Sequence, residues 1–230
     1  MLREIAITDQ LDWLSNVPYT PGQPHWLPQG FEAYLKILFP IGIDHRILLE
    51  KYSFKSSSIA EMNAHAAFYR KYDLGGPTTT DDQLTHITYH ALAQNWGIPY
   101  TSSFTPADIS THFGGWPPNL RESKQLNEVF VQLLIQAIGP AAPAYFSGSV
   151  DNGDYHWVNG FPTDWLEIGT VADLAHLYQR DRQFPGYIFD PSHAWCLIHM
   201  EFAEYVVLGC PLSLAATVAT HSMLETIRLT

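Results

Sequence analysis

Two histidines beside carboxylates are the first residues whose types could do chemistry. His193 and His199 lie six apart in a stretch that reads as a strand, flanked by Asp190 and Glu201. On a pleated strand that spacing puts both imidazoles on the face that carries Trp195 and Leu197. A histidine held beside a carboxylate works as a general acid or base once its orientation and pKa are set. The competing reading, which the local pattern favours, is that the histidines punctuate strand ends while Asp190 makes the turn before Pro191.

His86 and His90 stand four apart, the spacing at which two imidazoles on one helix face share a zinc ion. Ile87, Thr88 and Tyr89 stand between them, so the glutamate base of the zinc-protease motif is missing. His65 or His112 could approach as a third ligand, but no spacing requires it. The expectation is no metal and no cofactor.

Nucleophilic and phosphate-binding motifs are absent as patterns. Ser147 and Ser149 form a turn-like pair without the Gly-x-Ser-x-Gly elbow. Asp151-Asn152-Gly153-Asp154 lacks the ligand order of a calcium loop and reads as a turn. Gly75-Gly76-Pro77 and Gly114-Gly115 lack the lysine and preceding strand of a phosphate loop. Trp116, followed by Pro117 and Pro118, is a candidate contact residue, because an indole beside rigid prolines loses little entropy on binding. The candidate binding set is therefore Trp116, Asp190, His193, Trp195, His199 and Glu201.

The elements that must position these residues follow from periodicity and punctuation. Prolines 18, 21, 24 and 28 make 15–30 an extended lead-in, laid across the body by Trp13, Tyr19 and Trp26. Phe31, Tyr34, Leu35 and Leu38, at offsets of 3, 4 and 7, predict a helix that stops at Pro40, and a second helix is expected over 58–72. Thr80 with Gln83 reads as a capping box for a helix running to Trp96. Thr105 and Pro106 open a short helix that Gly114 ends. Asn119 caps a core helix whose face is Leu126, Val129, Phe130, Leu133, Leu134, Ala137 and Ile138.

Beyond Pro143 short strands are expected at 144–146, 155–158, 165–168 and 186–189, with a helix capped by Thr170 and Asp173. A hairpin of 194–200 with 205–210 is apolar on both faces, so it belongs inside a sheet. Pro211 opens a last helix, and 224–229 returns as a strand. The prediction is α+β: a single domain over 1–230, with a mainly helical lobe at 1–140 packed on a mixed, mainly antiparallel sheet formed by a strand-rich lobe at 141–230.

Composition bounds the partners. At 46% apolar and 15% charged, with 7 Trp, 12 Tyr and 12 Phe, the chain has the material for a core and not the signature of disorder. Twelve Lys and Arg against 23 Asp and Glu give a formal charge of −11, which argues against nucleic acid and anionic membranes as partners. The start has no signal-peptide core, and 205–223 is too interrupted to span a bilayer. Cys196 and Cys210 are too few for a disulfide framework, and cytoplasmic thiols are expected, although the hairpin would bring the two close to opposite one another.

Three stretches taken together carry a resemblance. The run from Trp26 through Pro28, Gly30, Phe31, Glu32, Ala33 and Tyr34 to Pro40 resembles the opening of an uncharacterised bacterial family of hypothetical proteins. Asp190-Pro191-Ser192-His193-Ala194-Trp195-Cys196 is similar to that family's late segment, although His193 stands where the family has arginine. The turn at Gly209-Cys210-Pro211 and the closing strand at Leu224-Glu225 complete the likeness. The family has no assigned activity, so the resemblance implies a single cytoplasmic domain and no residue roles.

Two functions remain in view. The favoured one is a non-enzymatic interaction or regulatory protein, of the immunity type among others, that meets a partner with a basic surface. The alternative is a small hydrolase or metal-assisted enzyme drawing on His86, His90, His193, His199, Asp190 and Glu201.

Overall fold

The computed structural model describes residues 2–7, 11–15, 28–55, 57–72, 74, 83–148, 156–158, 161–163, 165–181, 184–199 and 203–229. The architecture is α+β with antiparallel sheets, divided into two compact units: Met1–Leu38 with Val131–Thr230, and Phe39–Phe130.

The larger unit is built on an eight-stranded sheet. Its strands are β1 (Arg3–Glu4), β2 (Ala33–Leu38), β6 (Pro143–Gly148), β9 (Trp165–Thr170), β10 (Tyr187–Phe189), β11 (Cys196–His199), β12 (Tyr205–Cys210) and β13 (Glu225–Leu229), in the order β1-β9-β6-β10-β11-β12-β2-β13. A separate hairpin pairs β7 (His156–Val158) with β8 (Phe161–Thr163).

Register divides the large sheet into two apolar faces. Cys196, Ile198, Val207, Tyr187 and Phe189 share one face, and Leu11 and Leu14 from the N-terminal segment are buried against it. Leu11 and Leu14 belong to the segment that carries the single-turn helix α1 (Asp12–Ser15), so Ile5, Ile7 and Trp13 pack on the same cluster. The opposite face carries Leu35, Ile37, Phe146, Ile188, Leu197, Val206 and Leu208, all fully or nearly fully buried.

Residues 31–38 correct the helix expected there. Leu35 and Ile37 point to one face and Tyr34 and Lys36 to the other, because β2 runs between β12 and β13 and is covered on both sides. A strand buried on both faces has no polar alternation, and a short apolar run then satisfies helical offsets by accident.

The expected hairpin of β11 and β12 forms inside the sheet, but it is shorter at its start than 194–200. Cys196 pairs with Gly209, so Cys210 points to the opposite face and the two thiols are not cross-strand partners. The capping box at Thr170 and Asp173 is present, with Asp173 Oδ2 accepting the Thr170 N–H at 2.9 Å before α6 (Leu174–Asp181). The last helix, α7 (Leu212–Thr220), and β13 also lie where punctuation puts them.

The smaller unit holds a three-stranded sheet of β3 (Ile41–Asp44), β4 (Leu84–Ile87) and β5 (Leu120–Arg121), ordered β4-β3-β5. Its helices are α2 (Ile59–Tyr72), α3 (Tyr89–Trp96), α4 (Ala107–Phe113) and the first part of α5 (Lys124–Ile138), whose remainder belongs to the larger unit. α2, and the stops of α3 at Gly97 and of α4 at Gly114, agree with expectation; both glycines sit at positive φ, 68° and 76°, where a Cβ is strained.

Two helix starts are corrected here. Residues 84–87 form a strand pairing with β3, and α3 begins only after Thr88, whose Oγ1 accepts the Ala91 N–H at 3.1 Å; Thr80 lies outside the described residues. β-Branched Thr85 and Ile87 suit the pleat better than a helix interior. Asn119 likewise does not cap α5: Leu120–Arg121 is a strand, and Ser123 Oγ accepts the Leu126 N–H at 3.0 Å instead. The buried face of α5 is Phe130, Val131, Leu134, Ile135 and Ala137, whereas Val129 is exposed. With five strands before residue 140 among the described residues, the separation into a helical first part and a sheet-forming second part holds only in part.

Candidate functional site

The turn between β10 and β11 positions three of the six residues singled out as a binding set: Asp190, His193 and Trp195. Asp190 leaves β10 and closes the turn with its backbone: its N–H donates to Trp195 O at 3.1 Å and its O accepts the His193 N–H at 2.8 Å. Its carboxylate caps the same turn, Oδ2 accepting from Ser192 N at 2.8 Å, from Ala194 N at 3.3 Å and from the Ser192 hydroxyl. This is the local side-chain to backbone bonding that makes aspartate a turn residue.

His193 is the chain's described non-glycine residue with positive φ, at 61°. That left-handed conformation throws its ring out of the strand path and onto Trp13, with ring centroids 4.2 Å apart and planes 17° apart. Phe189 completes the aromatic set, meeting Trp13 edge-on at 5.5 Å. Trp13 Nε1 is buried there with no hydrogen-bond partner among the described residues.

His199 lies elsewhere. Because β11 begins at Cys196, His193 is outside the strand, and the expected sharing of one strand face by the two histidines does not arise. The His199 ring is half-buried, edge-on to Phe184 at 5.9 Å, with Nε2 3.2 Å from Ala203 O. Burial pushes its pKa below the usual histidine range, while the carbonyls of Ala203 and Phe184 pull the other way. Trp195 is buried, Glu201 lies outside the described residues, and Trp116 stands in the smaller unit with Nε1 donating to Leu120 O at 3.1 Å.

What this arrangement can do chemically is limited by the partners of each group. A nucleophilic serine needs its hydroxyl on a base that is itself oriented. Ser192 instead donates directly to Asp190, and the described contacts of the His193 ring are with the rings of Trp13 and Phe189. Among the described residues no group of three or more His, Cys, Asp and Glu is placed to hold a metal ion. His86 is on β4 and His90 on α3, so the two do not stand one turn apart on a helix.

Several site features were not legible beforehand. The sequence reading assigns Trp13 only a packing role, and its stack with His193 joins residues 180 positions apart. Lys36, 5% exposed on β2 between β12 and β13 and 5.2 Å from the centre of the Tyr205 ring, is hidden by the helical reading of its segment. Ser147 is fully buried with an Oγ that finds no partner among the described residues. No protein-family model, curated protein or solved structure matches this chain. No helix among the described residues is long and apolar enough to cross a membrane.

Proposed function

We propose that the chain is a non-catalytic interaction protein of regulatory or immunity type, whose larger unit binds a partner with a basic surface. The observation that carries the reading is the division of charge. The larger unit has 14 Asp and Glu against 5 Lys and Arg, a formal −9, while the smaller has 9 against 7, a formal −2. An acidic field concentrated on one unit steers a basic partner to that unit and repels acidic competitors. The turn at Asp190 adds a pre-ordered surface element, since hydrogen bonds within the turn hold it before any partner arrives. A reducing cytoplasm is the compartment this reading implies, supported by two buried thiols that face opposite sides of one sheet.

The test uses the full chain as bait in a lysate of its native host, followed by stopped-flow measurements on the captured partner. Association should slow steeply as the Debye length shrinks from about 10 Å at 0.1 M salt to about 3 Å at 1 M. An association rate flat in salt would remove the steering argument. Turnover of simple ester or phosphoester substrates that disappears in His193→Ala or His199→Ala would replace the reading with a hydrolase.

A further inference from the structure

We draw no further inference here: the strongest candidate, the exposed apolar stripe of Ile59, Met62 and Ala66 along helix α2, carries nothing because nothing in the structure shows what covers it.

Discussion

The ring of Phe31 lies over Gly209 where any other residue would place its Cβ, with the ring Cγ 3.0 Å and Cε2 2.8 Å from that position. Gly209 pairs with Cys196 on one side and Tyr34 on the other, in the middle of the large sheet. The missing side chain opens a slot, and Phe31 fills it. The Phe31 N–H donates to Tyr34 Oη at 3.3 Å, and that hydroxyl donates to Pro28 O at 2.9 Å.

Gly209→Ala should therefore cost stability although it adds a single methyl. The ring cannot yield without leaving the sheet face, so the expected loss is about 1–3 kcal/mol, typical of overpacking. Urea titration of Gly209→Ala beside Gly186→Ala, whose added methyl would come no nearer than 3.6 Å to any neighbour, measures the difference. Equal midpoints in the two variants would show that Phe31 is not wedged there.

Position matters along α5 in the same way. Leu134 is fully buried and Val129 is 39% exposed, although both sit on the face that periodicity assigns to the core. Leu134→Ala should lose about 2–5 kcal/mol through cavity formation. Val129→Ala should stay within about 0.5 kcal/mol, as surface changes do. Chemical denaturation of both variants decides the matter, and a large loss at Val129 would mean the helix is rotated.

The two thiols should be inert in the folded protein. Burial pushes the Cys196 thiol well above its usual pKa and that of Cys210 to about 11, so neither offers a thiolate at neutral pH. Native protein at pH 7.5 should show almost no reaction with a thiol reagent within the time that urea-unfolded protein consumes two equivalents. An intramolecular disulfide formed under mild oxidation would contradict the register of β11 and β12.

Legibility followed the range of the interactions involved. Thr170 with Asp173, the glycine stops at Gly97 and Gly114, and the turn at Asp190 were readable because each is decided within a few residues. The run Tyr34-Leu35-Lys36-Ile37-Leu38 was not, since whether it is a helix or a strand is decided by β12 and β13, some 170 to 190 residues away. The N-terminus of α5 failed for a subtler reason: Asn119 and Ser123 are both competent caps, and the pairing of Leu120 with Ile43 selects the second. At the site, residue types were visible but their partners were not. Nothing local to His193 announces Trp13.

Histidine 199 links the fold to pH, with a sign that follows from its burial. Its folded-state pKa is depressed below 6.5 mainly because the half-buried ring is costly to charge, so the unfolded chain binds more protons than the native one as pH falls through the histidine range. The stabilisation is present above the unfolded value and is lost as pH drops from there through the depressed folded value. Asp44, whose carboxyl Arg46 holds below its usual range of about 3.8, adds a loss of the same sign only at more acidic pH, so the two are separable. Urea midpoints measured at intervals from pH 8 to pH 5 should fall, and His199→Gln, which keeps a polar group near Ala203 O without a titrating proton, should flatten part of that slope. A midpoint that falls just as steeply in His199→Gln would assign the dependence to other histidines and leave the ring a packing element between Phe184 and β11.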